Sequence, residues 1–217
     1  MANAIRGMAA AAKYHDEHTG LDYNPFRLKD ENDFKVVRPL QTQDEWVSLF
    51  MHTDFNLKLG SFRCGAEGEE PDMEACIGCA HGVKRSLRTY IPVRVRQDDN
   101  QKRVWVIEYG RNGLLEVMNF IEEHCEDVKG GVTGLDVKIK RQGKGTDTKY
   151  RWIYTSNNTR PLNDDELALE VPDMDAILGI PDDARVAKLL AKIGVKDDAS
   201  DGDAADEDLD DSPKSMF

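Results

Sequence analysis

With 217 residues the chain can fold one core-bearing domain of about 100 to 150 residues plus extensions, and two large domains are excluded. No stretch approaches the roughly 18 to 20 apolar residues of a membrane span, and MANAIRGMAAAAKYHDEH lacks the apolar centre of a signal peptide, so a cytosolic protein is expected. The formal net charge of −12 argues against a polyanionic partner only until its distribution is read: residues 197–217 hold nine acids against Lys214, whereas 84–112 hold eight Lys/Arg against three acids and 129–160 eight against two.

Residues 1–44 read as an N-terminal extension. The first twenty are Ala-rich and weakly patterned, and DYNPFRLKDENDF reads as extended polar chain with Pro25 as a breaker, so no fold is assigned to it. Patterning strengthens from Glu45. NLKLGSFRC sets Leu57, Leu59 and Ser61 against Lys58, as a half-buried strand does.

RTYIPVRVRQ places Thr89, Ile91, Val93 and Val95 on one face and Tyr90, Pro92, Arg94 and Arg96 on the other, with Pro92 favouring an edge strand or a bulge. After the DDNQ turn, Val104 and Val106 alternate with Arg103, Trp105, Ile107 and Tyr109, which predicts a hairpin. RNGLLEVMNFIEEHC carries Leu114, Met118, Ile121 and Cys125 at helical spacing, so Cys125 reads as a core residue. Leu135, Val137 and Ile139 then alternate with Asp136, Lys138 and Lys140, and TKYRWIYT gives a last strand.

The predicted fold is therefore mainly β: about five strands with one interposed helix, over residues 45–160. That order suits an OB-type barrel, whose open face often holds single-stranded nucleic acid, with a split α+β sandwich as the other solution. Residues 161–196 read as short helices, the second with Asp182 as a cap candidate and Gly194 beyond its end. Residues 197–217 hold too little apolar surface to offset ordering entropy, which predicts a disordered acidic tail.

Cys64, Cys76 and Cys79 lie within sixteen positions. In a reducing compartment such clusters are more often metal ligands than disulfides, and Gly78 in CIGC suits the tight turn of a metal knuckle. A fourth ligand comes from His52 or His81, giving the Cys3His tetrahedron that zinc favours, with a structural role in a loop subdomain at 52–81. A thioredoxin-like dithiol would need a βαβ setting that is absent here. No catalytic constellation competes: GKGT at 143–146 lacks the glycine of a phosphate loop, and His124 has no nucleophile pattern, so no enzyme is expected.

On the faces opposite the expected core stand Tyr90, Arg94, Arg96, Arg103, Trp105, Tyr109, Lys138 and Lys140, while Tyr150, Trp152 and Tyr154 share one face of the last strand. Interleaved rings and cations fit a single-strand groove, in which bases stack and phosphates are tracked by Lys/Arg.

In order, these motifs resemble the single-stranded DNA-binding (helix-destabilising) proteins of T-even-type bacteriophages, over about half the chain, His52 to Thr155. The residues that carry the resemblance are His52, Cys64, Cys76 and Cys79; the connector and strand KRSLRTYIPVRV; the aromatic-Gly-basic step Tyr109-Gly110-Arg111 in EYGRNGLLEVM; and LDVKIKRQGKG. The resemblance implies an OB-fold coating single-stranded DNA without sequence preference in phage replication, recombination and repair, in the cytoplasm of the host bacterium. It implies structural Zn2+ on His52, Cys64, Cys76 and Cys79, and DNA contacts from the groove set together with Arg111 and Trp152. It also implies that an acidic tail (Asp206, Glu207, Asp208, Asp210, Asp211, Phe217) recruits replication proteins such as polymerase, helicase or primase, and recombinase. The chain departs from that family in its N-terminal arm, which has only Arg6 and Lys13, and in its Met216-Phe217 ending. Rival expectations are an RNA-binding OB protein and a zinc-dependent nucleic-acid hydrolase.

Overall fold

A computed structural model describes residues 23–53, 61–66, 72–74, 76–144, 148–155, 159–182, 185, 188, 189 and 191. Their eight strands form a mixed sheet with a few helices. The strands are β1 (Asn24–Pro25), β2 (Phe34–Pro39), β3 (Val47–Thr53), β4 (Ser61–Arg63), β5 (Arg85–Val95), β6 (Trp105–Gly110), β7 (Val137–Gln142) and β8 (Lys149–Tyr154). The α-helices are α1 (Ile77–Ala80), α2 (Arg111–His124), α3 (Asp164–Leu167) and α4 (Met174–Ile177). The chain divides into two compact units, 1–51 with 86–179 and 52–85 with 180–217.

In the first unit the strand order is β1-β6-β5-β2-β7-β8, with β1 parallel to β6 and the other neighbours antiparallel. β2 thus stands between β5 and β7, registering Val37 opposite both Val95 and Val137. The main core lies on that side: Val37, Ile91, Val93, Val95, Ile107, Val137 and Ile139 meet Val117, Phe120 and Ile121 of α2. Cys125 closes this core as expected, and burial pushes its thiol up to about 11. Gly113 is needed in the first turn of α2, because a Cβ there would lie 2.5 Å from Tyr109 Cδ1.

Several expectations are corrected. Phe26 and Leu28, in the run assigned no fold, are buried core residues, and Asn24–Pro25 lies parallel to β6. That segment has no local periodicity because its partners are distant in sequence. Pro92 sits inside β5 between two strands rather than on an edge. The N–H and C=O of one strand residue point the same way, and the Pro92 carbonyl accepts from Leu40 N just past the end of β2. The missing N–H therefore falls where β2 has already stopped.

The outer side of β5 is also covered. Tyr90 packs with Leu49, Met51, Val106 and Met174 and is 2% exposed, so the expected polar face is a second core. On β6 the expected parity is reversed: Ile107 and Tyr109 enter the main core, and Val106 the second one. Leu57 and Leu59 lie outside the described residues; beside them Phe62 is buried and Ser61 exposed, again the opposite parity. α3 matches the first expected short helix and is capped by Asn163. Asp182 accepts from Arg185 N at 2.8 Å as a cap would, while most of residues 183–194 and all of the acidic tail fall outside the described residues.

Candidate metal centre and nucleic-acid interface

In the second unit, β3 delivers His52 at its end, β4 leads to Cys64, and the start of α1 brings Cys76 and Cys79 within one turn. The ligand atoms of these four residues lie within 4.8 Å of one another. His52 Nε2 is 3.3 Å from Cys76 Sγ and 3.5 Å from Cys79 Sγ, and Cys64 Sγ is 3.7 and 3.6 Å from the same two sulfurs. A tetrahedral ion with metal–sulfur bonds of about 2.3 Å places its sulfurs about 3.8 Å apart, so these edges fit one ion at their centre. No cysteine is in a disulfide.

The surroundings set the chemistry of the cluster. His52 is wholly buried, and its Nδ1 lies 2.8 Å from the Val83 carbonyl, which as acceptor fixes the proton on Nδ1 and leaves the Nε2 lone pair facing the sulfurs. Phe62 stacks on the ring at 5.1 Å. Gly78 leaves room for it: a Cβ there would stand 2.5 to 2.7 Å from His52 Cδ2, Cγ and Nε2. Burial raises the Cys76 thiol, but N–H groups of Cys79 and Gly65 and contacts with His52 and Cys64 outweigh it and bring it down to about 6. His81 is excluded as the fourth member, since it is exposed and its Nδ1 meets the Ile77 carbonyl at 3.0 Å.

The first unit holds a second cluster that the sequence did not announce. Arg38, wholly buried, bonds Asp136 through Nε at 2.7 Å and the carbonyls of Thr133 and Arg160 through NH1. Arg96 bonds both Asp136 and Glu166, Arg94 reaches Glu166 at 3.4 Å, and Arg160 makes two bonds to it at 2.7 and 2.9 Å. Burial raises the Glu166 carboxyl, but the guanidinium of Arg160, the Asn163 N–H and the guanidinium of Arg96 outweigh it and hold it down to about 2. Asp136 is also held below its ordinary value, burial being outweighed by Arg38 and Arg96.

The residues expected to contact nucleic acid are thus scattered. Tyr90 and Tyr109 are core residues, 2% and 5% exposed, and present no ring face; this corrects their expected role. Trp152 faces the core and donates through Nε1 to Tyr109 Oη at 2.7 Å. Arg94 and Arg96 are engaged by carboxylates. Arg103 and Lys35 both lie over the half-buried Trp105 ring, whose Nε1 donates to Asp98 at 2.6 Å. Arg111 is exposed at the start of α2, and Lys138 and Lys140 stand on the outer face of β7. Sequence reading missed Phe34, Lys149 and Arg151 on that same face, although the alternation of Arg151 with Tyr150 and Trp152 carried the signal.

No helix among the described residues is long and apolar enough to cross a membrane. No protein-family model matches the chain, and a search of curated proteins found no match.

Proposed function

We propose that the protein is a sequence-independent single-stranded DNA-binding protein built on an OB-type barrel. The observation that carries the reading is the strand path β6-β5-β2-β7-β8 with α2 inserted between β6 and β7. This order supports a five-stranded Greek-key barrel with one interposed helix, an architecture used repeatedly for oligonucleotides. The positive segments 84–112 and 129–160 supply most of that barrel, in a chain whose net negative charge lies mostly in its last 21 residues.

The metal in this reading is zinc, held by His52, Cys64, Cys76 and Cys79. The donor set is soft and nitrogen-containing, the edges are tetrahedral, and four protein ligands complete the shell. A complete shell would supply folding energy to the second unit and leave no open position for metal-assisted hydrolysis. The ordered motif set supports a place beside the phage helix-destabilising proteins, acting in the host cytoplasm. The acidic residues Asp206 to Asp211 and Phe217 would recruit replication proteins.

The test is a titration of labelled single-stranded DNA, duplex DNA and RNA of matched sequence with the full chain over a salt series, with metal assayed on the same sample. Single-strand binding that weakens with salt, with about one zinc per chain, is expected. Preference for RNA would move the protein to the RNA-binding class, and cleavage of the strand would make it a hydrolase.

A further inference from the structure

Resting on the single-strand reading, we infer that the strand lies on the outer face of β2, β7 and β8, across Phe34, Lys138, Lys140, Lys149, Arg151 and Ile153. Residues directly opposite in antiparallel pairs share a face. The registers therefore line up Val36, Lys138 and Ile153 in one row, Phe34, Lys140 and Arg151 in the next, and Gln142 with Lys149 in a third. The alternate residues Val37, Val137, Ile139 and Trp152 point into the main core, which fixes this row set as the outside of the sheet.

Charge distinguishes this face from the rest of the barrel. On the adjoining part of the outer face, Arg38, Arg94 and Arg96 are matched by Asp136 and Glu166. By contrast Lys138, Lys140, Lys149 and Arg151 make no ion pair with any described residue, and no carboxylate stands in the three rows. Four cations without counter-charge on adjacent strands offer a track for a polyanion.

Apolar groups stand among those cations. Phe34 is 48% exposed and Ile153 39%, and Lys138 Nζ lies 3.9 Å from the Phe34 ring centroid. A half-exposed ring with a lysine over it can stack an unpaired base when that lysine turns to a phosphate, the flanking cations taking the neighbouring phosphates. Rows separated by two residues, about 6.7 Å along the strands, repeat the cations, while the one ring stands in the middle row. A duplex keeps its base faces stacked inside and gains only the electrostatic part, so the face fits a single strand.

The experiment uses the full-length, metal-replete chain in two arms. In the first, single-stranded DNA affinity is measured over a salt series for wild type, for Lys138→Gln/Lys140→Gln/Arg151→Gln together, and for Phe34→Ala. The triple variant is expected to lower affinity about tenfold or more at low salt and to flatten the log–log salt slope by about 2, at roughly 0.7 for each phosphate no longer neutralised. Phe34→Ala is expected to weaken binding with the slope unchanged. In the second, folding-independent arm, amine labelling of wild type is read by mass spectrometry with and without oligonucleotide, and Lys138, Lys140 and Lys149 are expected to be protected.

Wild-type binding with unaltered variants and unprotected lysines overturns the placement alone. Failure of wild type to bind any single strand overturns the functional reading and the placement with it. Lysines that oligonucleotide does not protect, but that gain label when residues 197–217 are deleted, would assign the face to the chain's own acidic tail and overturn the proposal.

Discussion

Gly78 lies against the imidazole of His52 so closely that a β-carbon would stand 2.5 Å from Cδ2. The glycine in CIGC, which lies within α1 at an ordinary helical position, is therefore a matter of space for the histidine ring. Gly78→Ala is expected to push His52 out of line with the three sulfurs and weaken metal binding by about 10- to 100-fold or more, the range seen when groups orienting a ligand are altered. His81→Ala, which removes a side chain turned to the Ile77 carbonyl, is expected to leave metal content at its wild-type level. Retention of full metal by Gly78→Ala would show that the ring has room to shift.

Glu166 links three arginines, and its carboxyl is held at about 2 against an ordinary 4.5. A group with a depressed folded pKa contributes stability that is fully present above its unfolded value and is lost as pH falls through its folded value. Asp136, shifted in the same direction, adds a contribution of the same sign. Denaturant midpoints are expected to hold between pH 7 and 5 and to fall from about pH 4.5 toward 2. Glu166→Gln should flatten this acid limb. A wild-type midpoint independent of pH over that window would contradict the assignment.

Removing Glu166 altogether leaves Arg94, Arg96 and Arg160 without their shared carboxylate. Breaking one side of a buried ion pair costs about 3 to 5 kcal/mol, so Glu166→Ala is expected to destabilise the first unit by that order, measured by urea unfolding. A loss below about 1 kcal/mol would mean that the arginines find solvent or Asp136 at little cost.

Tyr109→Phe removes the acceptor for Trp152 Nε1 and leaves the indole N–H of this half-buried residue without its protein partner. The expected cost is about 1 to 3 kcal/mol in thermal or urea unfolding, with single-strand affinity unchanged because neither ring faces the proposed track. A loss of affinity without loss of stability would return Tyr109 to the binding surface.

Deletion of residues 197–217 removes nine acids and one lysine. Single-strand affinity at low salt is expected to rise and its salt dependence to steepen, since a competing polyanion has been removed. Unchanged affinity would confine the tail to contacts with other proteins.

The metal centre was largely legible in the sequence because its signal is chemical identity at short spacing. Three cysteines and a histidine need only be brought together, and few other side chains do that work. The choice of His52 over His81 rested on spacing and on resemblance until tertiary structure showed the first buried with Nδ1 fixed by Val83 and the second turned to Ile77. The space Gly78 leaves for the ring had no sequence signal, since the two residues are 26 positions apart.

Strand periodicity by itself located β5, β6, β7, β8 and α2, because alternation and helical spacing are local properties of the chain. It could not tell which face of a strand would be covered. Tyr90 and Tyr109 read as exposed aromatics, and both became core once residues of β3 and α4 packed on Tyr90 and α2 packed on the side of Tyr109. The same long-range packing drew Arg94 and Arg96 onto Asp136 and Glu166, 40 to 72 positions away, and left Lys138, Lys140 and Arg151 without an ion pair among the described residues. The sequence determined which residues carry charge, rings and metal ligands; only tertiary structure decided which of them face water, because that depends on partners no local pattern names.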